Sequence, residues 1–429
     1  MSGFVSTTDN SPPVGFKQAV LSNVPVQGGL YIPQSLEMLS SSDLKRISGS
    51  SFPMTAQIVL KHILGNEIDS NTLSEICNKA FCFDVPLKLL NPTVGALELF
   101  HGPTMAFKDV GVRFLAEVLE LFSPTEERTI LTATSGDTGA AVAGAFFKRP
   151  NTRVIVIYPK GKISHVQEQQ IAGLGQNVQA FAVTGSFDDC QRMVNEVFAN
   201  KKLVNSLRLT SANSINLARL LPQVSYYAYA WAQAKSITKL PLLFAVPSGN
   251  FGNISAGLIA KKIGIPIDFL LAATNDNDVV PRYLAGGDFT YRPAKETITT
   301  AMDIAVPNNF PRIESLFGPG SKAIGKSLLS MSVTVEETKS AMKQLYEKYQ
   351  YISDPHGALA YFAASKVLPE ENVFRIFLET AHPVKFREIV QEVLNIVPKT
   401  PLHAEETLSR KIYSKELSCS TEDLIKEFS

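Results

Sequence analysis

Pro247-Ser-Gly-Asn-Phe-Gly-Asn253 joins an apolar run to a helical pattern, and this junction indicates the fold class. The run before it, Leu242-Leu-Phe-Ala-Val246, has the length and composition of a buried strand. Residues 254–262 after it have the pattern of a helix. A strand that turns through glycines directly into a helix is typical of a βαβ unit.

The same order of strand, loop and helix recurs along the chain from about residue 95. Short β-branched runs lie at 129–134, 154–158, 178–183, 269–274 and 373–378. Their alternation with helical patterns predicts an α/β fold built on a parallel sheet. Sheets of this kind bind ligands at the carboxyl ends of their strands, where the polar loops of this sequence lie.

Residues 1 to about 90 differ from the rest of the chain. They contain short turn signals, such as Gln27-Gly-Gly29, and helix-like stretches at 54–64 and 72–82. These features predict a small, mostly helical N-terminal region. Further along, Thr334-Val-Glu-Glu337 has the pattern of a capping box that begins a helix.

The composition limits the classes of protein. With 429 residues, 45% hydrophobic and 19% charged, the chain can form two or three folded domains. Its net charge of +1 argues against a nucleic-acid partner. Its four cysteines and six histidines lack the spacing of disulfide frameworks or metal sites, so no metal is expected. No membrane-length apolar run or secretion signal is visible, which favours a soluble cytoplasmic protein.

Gly320-Ser-Lys-Ala-Ile-Gly-Lys-Ser327 fits the phosphate-loop pattern of nucleotide-binding proteins. That pattern requires an apolar strand immediately before it, whereas residues 311–317 look like a short helix. We therefore interpret this segment as a surface turn and keep nucleoside-triphosphate hydrolysis as a minor alternative.

The loop at 247–253 is the better candidate for an anion site. Its glycines allow a tight turn, and the positive end of the following helix attracts an anion. The loop contains no carboxylate, so a phosphate is its natural ligand. An ordinary strand-to-helix turn is the alternative that the residues alone leave open.

His101-Gly-Pro-Thr-Met-Ala-Phe-Lys-Asp109 places a lysine between an aromatic and an acidic residue just before a helical pattern. A lysine held in a cleft can lose its proton and form a Schiff base with a carbonyl group. From the residues alone, a solvated lysine paired with Asp109 is the more common arrangement.

Two further stretches offer polar groups at helix starts. Ser135-Gly-Asp-Thr-Gly139 presents hydroxyls and N–H groups. Ser211-Ala-Asn-Ser-Ile-Asn-Leu-Ala-Arg219 presents amides and a guanidinium that could grip a phosphate or carboxylate. Ordinary helix caps with a solvated arginine are the alternative for both. Lys162 adds a cation that is more often simply exposed.

Taken together, these motifs resemble the threonine synthase family, a group of pyridoxal-phosphate enzymes. The resemblance covers almost the whole chain, from Gly28-Gly-Leu-Tyr-Ile-Pro33 to His382-Pro-Val-Lys-Phe386. Five motifs follow the family's order: Phe100-His-Gly-Pro-Thr-Met-Ala-Phe-Lys-Asp109, Thr132-Ala-Thr-Ser-Gly-Asp-Thr-Gly-Ala140, Ser211-Ala-Asn-Ser-Ile-Asn216, Pro247-Ser-Gly-Asn-Phe-Gly252 and Leu378-Glu-Thr-Ala-His-Pro383.

The resemblance implies an α/β fold of the tryptophan-synthase-β type, fold type II among pyridoxal-phosphate enzymes. Two open, mostly parallel sheets flanked by helices would follow the N-terminal region of residues 1–90. A first domain, 91–240, would carry the lysine and the substrate loops. A second domain, 241–429, would carry the loop for the cofactor phosphate.

The resemblance also implies roles for individual residues. Lys108 would form the Schiff base with pyridoxal 5'-phosphate and act as the catalytic base, and Thr380 would hydrogen bond to the pyridine nitrogen. Asp137 occupies a position where related enzymes place an amide near the ring oxygen. The cofactor phosphate would lie on a loop of six residues: Ser248, Gly249, Asn250, Phe251, Gly252 and Asn253. The substrate would be bound by Ser135, Thr138, Lys162, Asn213, Ser214, Asn216 and Arg219.

Two positions depart from the family's pattern. His165 stands where members often carry proline, and Asn253 stands where an acid is common. At both positions the loop backbone is expected to matter more than the side chain, so we expect effects on affinity only.

The implied reaction converts O-phospho-L-homoserine and water to L-threonine and phosphate by γ-elimination and β-addition of water. A related lyase that eliminates phosphate, or a serine or threonine dehydratase, is the nearest alternative. A non-catalytic sensor of a phosphorylated metabolite is a further one. We expect a small-molecule substrate, no nucleic-acid or membrane partner, and a monomer or homodimer.

Overall fold

Buried apolar runs form two large sheets, beside a small two-stranded one, in the computed structural model, which describes residues 3–8, 11–369 and 372–428. In chain order the strands are β1 Phe4–Ser6, β2 Tyr31–Pro33, β3 Leu87–Asn91, β4 Val94–Glu98, β5 Arg128–Ala133, β6 Thr152–Pro159, β7 Val178–Val183, β8 Leu209–Ser211, β9 Leu242–Pro247, β10 Phe269–Thr274, β11 Leu329–Ser332, β12 Phe374–Glu379 and β13 Ser414–Leu417.

Helices cover both sheets and form most of the N-terminal region. They are α1 Phe16–Ser22, α2 Ser41–Ile47, α3 Phe52–Leu64, α4 Ser70–Ala80, α5 Lys108–Phe122, α6 Asp137–Phe146, α7 His165–Ala172, α8 Phe187–Ala199, α9 Lys201–Ser206, α10 Leu217–Leu220, α11 Val224–Ile237, α12 Gly252–Lys262, α13 Val279–Leu284, α14 Phe310–Phe317, α15 Ser321–Gly325, α16 Val335–Tyr349, α17 Pro355–Val367, α18 Arg387–Leu394, α19 Leu402–Leu408 and α20 Thr421–Lys426.

The first sheet has the strand order β13-β7-β6-β5-β8, and all its pairs are parallel. The second sheet has the order β11-β10-β9-β12-β4-β3 and is parallel except for the β3–β4 pair. Every residue of β5, β9 and β12 is buried, because helices cover both faces. Burial on both faces explains why β9 is apolar throughout and why β5 and β12 show no regular alternation of apolar and polar residues.

The prediction of an α/β fold with mostly parallel sheets is confirmed. The predicted strand runs match β5, β6, β7, β9, β10 and β12 to within two residues at each end. The helix-like stretches at 54–64 and 72–82 correspond to α3 and α4. The capping box at Thr334 and Glu337 is formed at the start of α16. The N-terminal region also contains one antiparallel pair, β1 with β2, which the sequence did not predict.

Sheet membership does not follow the predicted boundaries at 91 and 241. Strands β3 and β4 precede the Lys108 loop in the chain but belong to the second sheet, where β4 pairs with β12. The last strand, β13, returns to the first sheet and pairs with β7. The boundaries were drawn in chain order, whereas these two chain segments cross between the sheets.

The phosphate-loop pattern at 320–327 lies on α15, directly between α14 and β11. Helix α14 precedes it, so the strand that a nucleotide site requires is absent there. The segment is therefore a short helix and not the surface turn that the sequence predicted, and Ile324 on it is buried. In the parts of the chain that the structure describes, no helix is both long and apolar enough to cross a membrane.

Candidate active site

The loop before Lys108 is held against the end of β12. The N–H of Phe107 donates to the carbonyl of Thr380 at 2.9 Å, and Ala106 forms an isolated bridge with Ala381. Asp109 accepts hydrogen bonds from the N–H of Thr104 at 2.8 Å and from its hydroxyl at 2.7 Å. The Asp109 carboxyl group therefore forms its hydrogen bonds within this loop and is not the partner of Lys108.

Lys108 is the first residue of α5, and 13% of its side chain is exposed. Its Nζ lies 3.6 Å from Oδ2 of Asp137 at the start of α6. Burial lowers the pKa of Lys108; the Asp137 charge opposes this shift, and the positive charges of Lys385 and Arg219 add to it. An amine in this setting loses its proton more readily than an exposed lysine does.

Asp137 lies between two lysines. Its Oδ1 is 2.9 Å from Nζ of Lys385, which is fully buried, and accepts a hydrogen bond from Nε2 of Gln167 at 2.9 Å. Burial alone would raise the pKa of Asp137, but Lys385 and Lys108 outweigh that effect and hold the pKa well below its ordinary value. Asp137 is therefore an ionised carboxylate at neutral pH.

The 247–253 loop leads into a helix whose first main-chain N–H groups have no hydrogen-bond acceptor among the described residues. Helix α12 begins at Gly252 without a side-chain cap, and Phe251 before it has a left-handed φ of 58°. Among the hydrogen bonds of the described residues, none uses the N–H groups of 249–253. A Cβ on Gly249 would lie 2.7 Å from Cα of Met302, so only glycine permits this close approach. Such a cradle of free N–H groups is suited to a phosphate.

Arg219 adds a positive charge that has no carboxylate partner in the part of the chain that the structure describes. It is buried on α10, and its Nη1 donates to the carbonyl of Ala212 at 2.6 Å. Its Nε is buried and has no hydrogen-bond partner in the described part of the chain. Burial lowers the pKa of Arg219 to about 10, so the guanidinium remains charged at neutral pH. An unpaired buried cation of this kind indicates an anionic ligand.

These groups meet in one cavity of about 120 Å³ between the two sheets. The predicted site residues that line it are Lys108, Ser135, Asp137, Thr138, Ser214, Arg219, Ser248, Gly249, Asn250, Phe251, Gly252, Asn253 and Thr380. Of its charged lining residues, Lys108 and Arg219 are cations and Asp137 is an anion. The starts of α6 and α12 add their positive ends, so the cavity favours a phosphate.

Asn216 and Asn213 do not line this cavity, contrary to the prediction. The Asn216 amide nitrogen donates to the carbonyl of Val20 at 3.0 Å, and its oxygen caps α10 by accepting from the N–H of Ala218 at 2.9 Å. Asn216 is therefore a structural residue that ties the N-terminal region to α10. The N–H of Asn213 donates to the hydroxyl of Ser211, in the turn after β8.

Lys162 also lies outside the cavity. Its Nζ is 3.3 Å from Oε1 of Glu296, and both side chains are mostly exposed. The pair lines a neighbouring cleft that shares Ser135 with the cavity. Lys162 thus lies at the approach to the cavity rather than inside it.

Three residues near the site were not predicted from the sequence: Lys385, Gln223 and His356. Lys385 belongs to His382-Pro-Val-Lys-Phe386, where the resemblance ends, and its position in that motif was the available signal. Gln223 lines the cavity and donates to the carbonyl of Arg219 at 2.8 Å. His356 also lines it, but isolated histidines carry no spacing signal.

Asn253 stands at the position where an acid is common in the family, and it is 6% exposed. Its Oδ1 lies 2.6 Å from the hydroxyls of both Tyr226 and Tyr227, which therefore fix the amide. Its Nδ2 is buried and has no partner among the described residues. His165, the other departure, is the first residue of α7, whose capping box is formed by Ser164 and Gln167.

A buried lysine that faces a phosphate cradle, with a threonine at the end of a neighbouring strand, fits one cofactor well. Pyridoxal phosphate carries an aldehyde for the amine, a phosphate for the cradle and a ring nitrogen for a hydroxyl. The unpartnered N–H groups of 249–253 are the observation that supports this fit. The fold and the site therefore define a pyridoxal-phosphate-dependent enzyme of fold type II.

Comparisons with known families agree with this class. The model of the family described as pyridoxal-phosphate dependent enzyme matches residues 88–377. The models of the threonine synthase N terminus and of the threonine synthase C-terminal region match residues 3–81 and 357–428. The chain therefore belongs to the threonine synthase family.

Individual relatives cover nearly the whole chain. A threonine synthase of Buchnera aphidicola subsp. Schizaphis graminum is 45% identical over 89% of each chain. The threonine synthase of Escherichia coli strain K12 is 42% identical over 95% of each chain. The crystal structure of the Escherichia coli protein superposes with a TM-score of 0.92, at 40% identity, over 99% of this chain and 98% of that one. A pyridoxal-phosphate-bound threonine synthase from Brucella melitensis also has a TM-score of 0.92, at 33% identity, over 100% of this chain and 99% of that one.

Proposed function

We propose that this enzyme converts O-phospho-L-homoserine and water into L-threonine and phosphate in the cavity that contains Lys108. The observation that carries the proposal is the placement of a buried amine and a free phosphate cradle, 249–253, in one cavity. Pyridoxal phosphate, when bound, supplies an electron sink for the charge that develops on the substrate. The protein residues hold the ligands and transfer protons.

Five groups would hold the cofactor. Nζ of Lys108 would bind the aldehyde of the cofactor. The N–H groups of 249–253, together with Ser248, would bind its phosphate. Thr380 would contact the ring nitrogen with its hydroxyl. Asp137 would lie beside the ring oxygen as a carboxylate, which accepts hydrogen bonds and does not donate them.

Lys108 is also the proposed base at Cα of the substrate. Because burial lowers its pKa, the amine is uncharged more often than an exposed lysine and can accept a proton. Once protonated, its Nζ is stabilised by the Asp137 carboxylate 3.6 Å away. The same Nζ can then return the proton at the end of the reaction.

The departing phosphate requires cations and donors that favour it over the bound ester. Arg219 supplies the charge, since its Nε has no partner among the described residues. Ser135, Thr138 and Ser214 supply hydroxyls in the same cavity. We propose that these four residues bind the substrate phosphate and carboxylate, and that Lys162 assists substrate entry from the neighbouring cleft.

The test is to incubate the purified protein with pyridoxal phosphate and O-phospho-L-homoserine and to quantify phosphate and threonine together. We expect equal amounts of both products, with turnover lost in Lys108→Ala. Lys339→Ala is the matched control, because Lys339 pairs with Glu392 at 2.6 Å and does not line the cavity; we expect it to retain the maximal rate.

Other outcomes would support other functions. Phosphate without threonine would indicate a lyase that eliminates phosphate without adding water. Ammonia and a keto acid from serine or threonine, at a higher rate than from the phosphorylated substrate, would indicate a dehydratase. Binding of the phosphorylated substrate without any product would indicate a sensor.

We further propose that the enzyme works on its small-molecule substrate as a cytoplasmic monomer or homodimer, without a nucleic-acid partner. The net charge of +1 supports the last point, since it provides no general attraction for a polyanion. Light scattering of the purified holoenzyme measures the oligomeric state, and a tetramer or larger assembly would contradict this proposal.

A further inference from the structure

A buried acid–histidine pair lies at the edge of the cofactor cavity. His356, on the first turn of α17, is 2% exposed. Its Nδ1 lies 2.6 Å from Oδ1 of Asp354, which caps the same helix. The main-chain N–H of His356 donates to the same oxygen at 2.8 Å. The imidazole therefore has a fixed orientation relative to α17.

Glu379 is a second buried carboxyl group beside the pair. Burial raises the pKa of Glu379 well above its ordinary value, and the charge of Asp354 raises it further. The main-chain N–H of Asp354 donates to Oε2 of Glu379 at 3.3 Å, so the two groups are neighbours. Oδ1 of Asp354 already accepts a hydrogen bond from the main-chain N–H of His356, so Nδ1 of His356 is the donor in its contact with the same oxygen.

The other ring nitrogen of His356 has no partner among the residues that the structure describes. Its Nε2 is buried and forms no hydrogen bond with any described residue. The residue lines the cavity together with Lys108 and Thr380. Buried polar atoms in folded proteins nearly always have a partner. A buried ring nitrogen without one, on a residue in the wall of a ligand cavity, indicates that the ligand supplies the partner.

The pair lies at the Thr380 end of the cavity. The second oxygen of Asp354 is 3.4 Å from the N–H of Ala381, the residue after Thr380. The ring of Phe386 packs edge-on against the imidazole, with 4.9 Å between the ring centres. These contacts hold the imidazole beside the end of β12 and leave Nε2 as its only unused polar atom.

We propose that His356, oriented by Asp354, is a further cofactor-contacting residue whose Nε2 hydrogen bonds to a polar atom of the pyridoxal-phosphate ring at the Thr380 end of the cavity. This inference rests on the cofactor site proposed above.

Two substitutions separate this role from a purely structural one. His356→Asn places an amide nitrogen near Nδ1, so it can still donate to Asp354, but it has no atom at the position of Nε2. His356→Gln reaches the position of Nε2 and gives up the contact with Asp354. If Nε2 contacts the cofactor, His356→Asn should weaken cofactor binding roughly tenfold and shift the visible absorption band of the bound cofactor. His356→Gln should keep more of both properties.

If His356 has only a structural role, the two variants should rank in the opposite way. His356→Asn, which keeps the contact with Asp354, should then be closer than His356→Gln to the unmodified protein in cofactor affinity and absorption. His62→Asn is the matched control, because Nε2 of His62 contacts only the main-chain oxygen of Glu37, in the N-terminal region. It should change neither the affinity nor the spectrum. The measurements are equilibrium dialysis with pyridoxal phosphate and absorption spectra of the holoenzyme.

The outcomes distinguish this inference from the proposed function. If the unmodified protein takes up no pyridoxal phosphate, both are contradicted. If it takes up the cofactor and both His356 variants match it in affinity and spectrum, only this inference is contradicted. A second readout needs no variant: in isotope-labelled protein, the Nε2 resonance of His356 should move when the cofactor is added. A resonance that stays in place at saturation would overturn the inference.

Discussion

At the scale of single residues, Arg219 combines the proposed role in substrate binding with an energetic cost. It is a buried cation without a carboxylate partner among the described residues, and such groups lower the stability of the folded protein that contains them. For Arg219→Gln we expect the KM for O-phospho-L-homoserine to rise roughly 10- to 100-fold, because a charged hydrogen bond to phosphate is lost. The melting temperature should stay the same or rise. Steady-state kinetics and calorimetry measure the two effects.

Arg113→Gln is the control for this prediction. Arg113 lies on α5 and donates to the carbonyl of Ala80 at 2.7 Å, away from the cavity. We expect it to lower stability slightly and to leave the KM unchanged. An unchanged KM in Arg219→Gln would remove Arg219 from the substrate site.

Lys385 controls the charge of Lys108 through Asp137. Its positive charge lowers the pKa of Lys108, and its contact with Asp137 draws that carboxylate away from the amine. In Lys385→Met the pKa of Lys108 should therefore rise, and less of the amine is uncharged at neutral pH. We expect the apoenzyme to take up pyridoxal phosphate more slowly at neutral pH and to recover as the pH is raised.

The rate of uptake, followed by absorbance from neutral to alkaline pH, tests this effect of Lys385. Lys385→Arg retains the positive charge and should keep a profile close to that of the unmodified enzyme. A Lys385→Met profile that falls equally at every pH would show that Lys385 acts only through packing.

The motifs of the site could be named from the sequence, whereas contacts between distant segments could not. Lys108 and the 248–253 loop were named because their motifs resemble those of the family, although the residues alone favoured a solvated lysine; the structure places both in one cavity. The contact of Lys385 with Asp137 joins segments that only the assembled sheets bring together. Asn216 was predicted to bind the substrate because its polar amide lies in a polar motif. In the structure that amide donates to the carbonyl of Val20, which is distant in sequence.

At the scale of elements, the distance between α5 and α10 determines how Lys108 and Arg219 face each other. Gly111 on α5 makes their close approach possible, since a Cβ there would lie 2.6 Å from the carbonyl oxygen of Arg219. For Gly111→Ala we expect a loss of about 1–3 kcal/mol in the free energy of unfolding, because the neighbouring atom is rigid backbone. The kcat/KM should also fall as the two helices separate.

Gly325→Ala is the matched control for this effect. It lies in helix α15, and no atom is within 4 Å of the added Cβ. We expect stability to remain equal or to rise slightly. Denaturant unfolding and kinetics of both variants test the prediction, and a Gly111→Ala enzyme that matches Gly325→Ala in both would refute it.

Element positions were predicted well wherever a strand is buried on both faces. Strands β5, β9 and β12 are rich in apolar and β-branched residues and lie between turn signals, a pattern that local sequence shows. The short strands β1 and β2 were missed because three residues carry little periodicity. Strand β13, Ser414–Leu417, is mostly exposed and polar, so its sequence does not distinguish it from a loop.

At the scale of the whole molecule, the C-terminal segment packs on the first sheet although it is far from most of that sheet's strands in sequence. Leu424 on α20 is fully buried against the same apolar cluster as β5 and β6. We expect Leu424→Ala to lower the free energy of unfolding by about 2–5 kcal/mol, as for other buried leucines. Leu402→Ala is the matched control, because Leu402 is 85% exposed, and its effect should stay within about 0.5 kcal/mol.

Chemical denaturation of both leucine variants measures this difference. Equal midpoints for the two would mean that the C-terminal segment does not support the first sheet. Whole-chain topology of this kind was beyond the sequence, because the division into domains followed chain order and the crossing segments carry no local signal.

The return of β13 to β7 has a consequence for synthesis of the protein in the cell. Translation delivers the chain from its N-terminus, and domains generally begin to fold as they emerge from the ribosome. Here β7 can pair at its edge only after residues 414–417 have been synthesised, and β4 can pair with β12 only after residues 374–379 have been synthesised. Neither sheet can therefore be finished on a partly made chain, and a message truncated near its end would yield a product that contains the Lys108 loop but has an open sheet edge.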